Sequence, residues 1–414
     1  MALMSGAPTL SPCKRELPSS GAGERIRALD GLRGLAILLV IVWHYLVAGN
    51  QADPGSLHQF FNRTFSFAWA GVDLFFVLSG FLIGGILIDR RGSDDYFSRF
   101  WLRRFARLMP LYLIVIGLYI LALPAAGFFY PARELWLFDD AGKIPLWSFL
   151  LYVQNFYMAE ANSFGPNWLS ATWSLAVEEQ FYLLAPLFLR FVPLRLLPGL
   201  LVALTVAALF IRNAYLGAGG SVVGSYVLLA TRWEGLLVGI LVAFYYRKPA
   251  VRAWLKGHPL WLMTALGILL AGLAWLIMDR QQLHSPFMME FGYSYLPLVA
   301  AAVLLVALSV DWPVVKRVFV NSALVELGVI SYGVYLLHQP VHGLVSLAML
   351  GQRQQLHAPR DLIVALASFA LTVAIASLSW RYIEKPVIDL AHRQTALPAR
   401  WLRLVPASLR RPGQ

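Results

Sequence analysis

Arg33 and His44 lie eleven residues apart on the first strongly apolar stretch, Leu35 to Ala48. At about 100° per residue, eleven steps come to three turns plus roughly 20°, so both side chains share one helix face, about 16 Å apart along the axis. That spacing puts a guanidinium at a membrane surface and an imidazole inside the hydrocarbon. An ionisable side chain at that depth is costly, and its default reading is functional. The pair describes a site with two ends: a charged one at the surface, suited to an anion, and a buried one able to move a proton.

The elements that must position this pair are membrane helices. The 414 residues are 59% hydrophobic and only 14% charged, against about 25% charged in soluble domains. Ten apolar segments are long enough to cross a bilayer, at about 33–49, 67–88, 106–123, 173–190, 193–212, 225–246, 258–278, 293–310, 323–349 and 361–383. The expected fold is therefore an all-α polytopic membrane protein with about ten transmembrane helices and no internal repeat. The formal charge of +12 does not call for nucleic acid. With both termini cytoplasmic, 26 of the 34 Lys and Arg residues fall on the inner side and seven on the outer, with Arg232 inside the membrane. That is a positive-inside pattern facing anionic membrane lipids. No separate signal-peptide core precedes the first span, which reads as an uncleaved anchor. The single cysteine, Cys13, leaves no internal disulfide or thiolate cluster. Residues 1–24 read as a disordered tail, 25–388 as the membrane domain and 389–414 as a basic interfacial tail. The loop 124–172, rich in Trp, Phe and Tyr, reads as a surface layer or an entrance wall.

With directions assigned to the spans, His44, Asp73, Glu178, Glu179, Arg232, Glu234 and His338 all come to the outer half of the membrane. Each charge at the bilayer centre costs about 2.5 kcal/mol or more, so one shared, partly hydrated cavity is the expected arrangement. On the inner side Arg99, Arg103, Arg104 and Arg107 lead into span three. Arg104 and Arg107 share a helix face and, with Arg33, form a socket suited to phosphate oxygens. Arg90, Arg91 and Arg99 read as topological charge alone.

Several of these residues sit in longer blocks. Arg27-Ala28-Leu29-Asp30-Gly31-Leu32-Arg33-Gly34-Leu35-Ala36 with His44 resembles the opening signature of acyltransferase family 3, the integral-membrane O-acyltransferases, including its Arg-x10-His spacing. Four further blocks follow in the family's order: Gly71 to Phe81, Arg104 to Pro110, Trp173 to Tyr182 and Ser331 to His338. Tyr382-Ile383-Glu384-Lys385-Pro386 closes the region. The resemblance covers about residues 25–388 and is to members without a fused extracytoplasmic hydrolase-like domain. It implies transfer of an acyl group, usually acetyl from acetyl-CoA, to a hydroxyl of an extracytoplasmic glycan such as an exopolysaccharide, an O-antigen or a lipid-linked sugar. It also implies a bacterial cytoplasmic membrane and work alongside polysaccharide-biosynthesis machinery.

On this reading Arg33, Arg104 and Arg107 hold the donor's phosphates, and the thioester reaches His44. His44 is the general base or a transient acyl acceptor, with Glu178, and less directly Glu179, beside it. The bland alternatives are an interhelical hydrogen bond for His44 and an ion pair with Arg232 for Glu178. Asp73 could cap span two, His338 could contact the acceptor or pack, and Asp30 positions the start of span one. No metal is expected, because the histidines lack ligand spacing. The rival classes are a secondary transporter with a His/Glu/Arg relay and a non-catalytic binding scaffold; the transporter reading lacks a two-fold repeat.

Overall fold

In a bilayer every backbone polar group must be satisfied within the chain, and the apolar runs of this sequence do so as helices. The computed structural model describes residues 26–48, 57–129, 137, 138, 140, 142–279, 283–353 and 358–396, and among them there is no strand. The long helices are α1 (Arg27–Val47), α2 (Ala68–Asp89), α3 (Tyr96–Phe129), α4 (Thr172–Phe191), α5 (Leu197–Gly217), α6 (Glu234–Tyr246), α7 (Pro259–Met278), α8 (Met288–Ser309), α9 (Ser331–Leu350) and α10 (Pro359–Gln394). The protein is an all-helical, multi-pass membrane protein. The expectations for residues 1–24, including Cys13, and for residues 397–414 lie outside the described residues. Helix runs without a break across the expected boundary at 388.

Seven of the ten expected crossings are helices long and apolar enough on their own. The other three depart from a plain span for visible reasons. Helix α4 is intact but carries Glu178, Glu179 and Arg190. Span six is broken into Val222–Val227, Leu229–Arg232 and α6, with the chain extended at Leu228. Span nine, expected as one crossing over 323–349, straddles a 62° bend: its start lies in the helix Ser322–Val329, the end of the first arm, and the rest is α9.

Helix α1 is packed backbone to backbone against that first arm. A Cβ on Gly31 would meet the Phe319 carbonyl, and one on Gly34 the Leu324 carbonyl. Small residues allow such close approach between membrane helices, so the two glycines flanking Arg33 fix the height at which its guanidinium stands. Helix α2 packs on α6 in the same manner, Gly80 lying against the Leu236 backbone. Helices α1, α2, α3, α4 and α9 all contribute side chains to one central cavity, and the candidate site is built along it.

Candidate active site

The end of α1 is wound as a π-turn over Trp43–Val47, with the Ala48 N–H donating to the Trp43 carbonyl at 2.7 Å. Such turns recur at functional sites because they re-aim a side chain. His44 sits in this turn, and its Nδ1 lies 2.9 Å from the Val40 carbonyl. A carbonyl only accepts, so the proton is on Nδ1 and Nε2 keeps its lone pair. The ring lines an outer cavity of about 650 Å³ whose walls include Trp43, Trp69, Phe164, Trp173 and Tyr226, with Asn62, Asn167 and Gln339 between them. Behind it stands His338, its ring centroid 4.7 Å away at 61°. His338 Nδ1–H donates to the Tyr335 carbonyl at 2.6 Å, and its buried Nε2 has no hydrogen-bond partner among the described residues.

At the other end of the site Arg33, Arg104 and Arg107 line a cavity of about 230 Å³ together with Arg90, Arg99 and Arg103. Arg90 and Arg99, read from sequence as topological charge, thus face the same space as the socket residues. Asp30 holds Arg33 at 3.2 Å, and Arg104 lies 5.7 Å from the centre of the Tyr182 ring. Arg33, Arg104 and Arg107 also line a narrow middle cavity of about 80 Å³, with Ser79, Glu178 and Tyr335. Val72 and Tyr335 are walls of both the middle and the outer cavities. Three spaces therefore lie in series, sharing walls, from the arginines to His44.

The expected single cavity for the buried charges is not what forms, because three of the seven, Asp73, Arg232 and Glu234, are taken up in ion pairs. Arg232 donates to Asp73 at 2.9 Å and lies between the rings of Tyr226 and Tyr293, at 4.8 and 4.6 Å. Asp73 is therefore an ion-pair partner and not a cap; the α2 start has no side-chain cap. Glu234 accepts from Arg212 at 2.6 Å and from Ser294 at 2.9 Å. Glu178 does not pair with Arg232, which is taken by Asp73, and it lies outside the cavity that His44 lines. It accepts from Ser79 at 2.6 Å in the middle cavity, facing the Arg33 end. Glu179 lines none of the three cavities, and its buried Oε1 has no hydrogen-bond partner among the described residues. Among the described residues no three His, Cys, Asp or Glu side chains form a metal-binding group.

The acyltransferase domain family matches residues 26–381, most of the chain. The chain belongs to acyltransferase family 3. It is 31% identical over 387 residues to the peptidoglycan O-acetyltransferase of Listeria monocytogenes, covering 87% of this chain and 56% of that protein. A putative peptidoglycan O-acetyltransferase of Bacillus subtilis is 30% identical over 380 residues, covering 87% and 55%. An O-acetyltransferase of Staphylococcus aureus is 28% identical over 376 residues, covering 87% and 56%. The chain thus spans little more than half the length of these curated relatives. No solved structure matches it.

Within this family 3 chain, four residues at or near the site were not singled out from sequence. Arg212, counted there as an outer-loop cation, is buried in α5 with four donated hydrogen bonds. His284, on the loop before α8, lines the outer cavity, and burial holds its imidazole below its ordinary pKa. Tyr335 falls inside a quoted block but was given no role; its hydroxyl donates to the Ala171 carbonyl at 3.0 Å. Gln339 follows the same block directly, and its available signal was an amide in an apolar span beside Pro340.

Proposed function

We propose that this chain is an O-acetyltransferase of a bacterial cytoplasmic membrane. It takes acetyl from acetyl-CoA held at the arginine end and passes it to a hydroxyl of a glycan in the outer cavity. The observation that carries this reading is the series of three cavities with opposite chemistry at its ends. Guanidinium forks suit phosphate oxygens, and Arg33, Arg104 and Arg107 present three of them where, among the described residues, Asp30 is the one carboxylate paired with any. The middle cavity is narrow, as a slender thioester arm requires. The outer cavity combines indole and phenol faces with amides and hydroxyls, a lining suited to sugar rings. Since the curated relatives are named for peptidoglycan, a cell-wall glycan is the first acceptor to test.

In the transfer step the acceptor hydroxyl gives its proton to His44 Nε2 as its oxygen attacks the thioester carbon. A C–O bond forms and the carbonyl π pair moves to oxygen. Collapse of that tetrahedral species breaks the C–S bond and releases CoA thiolate, which takes the proton from the imidazolium. Glu178, hydrogen-bonded to Ser79 and facing the arginines, balances their charge beside the donor channel. Purified protein supplied with labelled acetyl-CoA and a glycan acceptor tests the reading. The wild type should acetylate the glycan, while His44→Ala should bind acetyl-CoA and fail to transfer. Full transfer by that variant would remove His44 from the role. Failure of the wild type to consume acetyl-CoA with any glycan would remove the whole reading.

A further inference from the structure

The amide of Gln339 is held in one orientation by two donors. The Ser170 hydroxyl donates to its Oε1 at 2.6 Å, and the Ala171 N–H approaches the same atom at 3.3 Å. The backbone N–H can only donate, so the atom facing Ala171 has to be the carbonyl oxygen; a flipped amide would set N–H against N–H. The Nε2 group, with two N–H donors, has no hydrogen-bond partner among the described residues, while the side chain lines the His44 cavity.

Its position on α9 adds a second argument. Gln339 is one turn beyond Tyr335, so the two share a helix face, and Tyr335 is a wall common to the middle and outer cavities. It directly follows His338, whose ring contacts that of His44. A carbonyl that passes Tyr335 into the outer cavity therefore enters a space walled by both His44 and the Gln339 amide. Preorganised N–H donors at that place stabilise the charge that develops on a carbonyl oxygen.

Resting on the acetyltransferase reading above, the geometry points to Gln339 as a catalytic residue that donates Nε2–H to the thioester carbonyl oxygen as it becomes an oxyanion. The proton that leaves the acceptor hydroxyl goes to His44, the negative charge rests on the former carbonyl oxygen against Nε2–H, and it returns as the C–S bond breaks. The amide neither gains nor loses a proton. Ser170 is a positioning residue that acts through Gln339.

Gln339→Glu is the informative variant, because one carboxylate oxygen keeps the Ser170 and Ala171 bonds while the other replaces the donor. Acetyl-CoA consumption would be followed with the glycan acceptor and, separately, with water alone. Loss of one such donor typically costs about 10²–10³ in kcat. Both reactions should fall by that factor together, with acetyl-CoA affinity and acceptor KM unchanged; retained donor affinity also shows that the variant is folded. Ser170→Ala, which loosens the amide, should give a smaller loss in kcat and add nothing in combination with Gln339→Glu. A rise in acceptor KM with hydrolysis intact would overturn the assignment, making the amide an acceptor contact. Wild-type rates in both reactions would overturn it as well. A wild type that consumes no acetyl-CoA would instead remove the underlying function.

Discussion

A buried imidazole can serve as a base only where one nitrogen is committed and the other is left open, and the turn carrying His44 arranges this. The Val40 carbonyl, four residues back, accepts a hydrogen bond from Nδ1–H, which leaves Nε2 open on a ring that lines a cavity able to hold an acceptor. General-base catalysis contributes about 10²–10⁴ in rate, so His44→Ala should lower kcat by that order and leave acetyl-CoA affinity in place, as isothermal titration of the detergent-solubilised protein would read. Loss of donor affinity as well would assign His44 to the integrity of α1. The cost of a histidine in hydrocarbon made this residue legible from sequence, as the Arg-x10-His spacing did for Arg33. The tautomer was not legible, since it depends on a π-turn that no residue pattern announces. Glu178 marks the same limit. Sequence gives a residue's height in the membrane, but the neighbour it faces depends on how α4 is rotated against α2 and α3, and that rotation directs it to Ser79 and the arginines.

At the scale of elements, the glycines and the broken span decide what reaches the site. A methyl at Gly34 would meet the Leu324 carbonyl, so Gly34→Ala must part α1 from Ser322–Val329 or strain both. Overpacking of this kind costs about 1–3 kcal/mol. The variant should melt at lower temperature and bind acetyl-CoA more weakly, because Arg33 moves with α1; unchanged donor affinity in a destabilised variant would show that the socket does not depend on this contact. Apolar runs gave away the ten segments because length and composition suffice for that. The break at Leu228 was invisible for the opposite reason, as its residues are as apolar as any span. Its consequence is the Arg212–Glu234 pair, which closes the gap between α5 and α6. Removing one partner of a buried pair costs about 3–5 kcal/mol, whereas replacing both by apolar residues is often tolerated. Glu234→Ala should therefore unfold well below the wild type, and Arg212→Met with Glu234→Leu should recover much of the loss in the same thermal assay. A double variant as unstable as the single one would mean that Arg212's bonds to Thr231, Met289 and Ser294, and not the ion pair, hold the break.

Across the whole molecule the cavities make the donor's route a matter of sidedness. The arginines lie at the end that the charge distribution assigns to the cytoplasm, and the outer cavity opens among residues of the opposite loops. A hydrogen bond to a charged group contributes about 1.5–3 kcal/mol, so Arg104→Ala should weaken acetyl-CoA binding about tenfold to a hundredfold without changing acceptor KM. Val72 walls the passage between the middle and outer spaces, and Val72→Phe should separate the two functions in the other direction, leaving acetyl-CoA affinity intact while transfer falls. Sealed vesicles join these arguments. If the three spaces form one conduit, acetyl-CoA added on the arginine-rich side of wild-type vesicles should label a glycan presented only on the other side. Acetyl-CoA added with the glycan on that far side should not label it, and Val72→Phe should abolish labelling across the membrane. Equal labelling from both sides would mean that the thioester reaches His44 through the outer cavity. The arginine cluster would then have to be read as lipid-facing charge, and the eleven-residue spacing of Arg33 and His44 would have no part in delivering the donor.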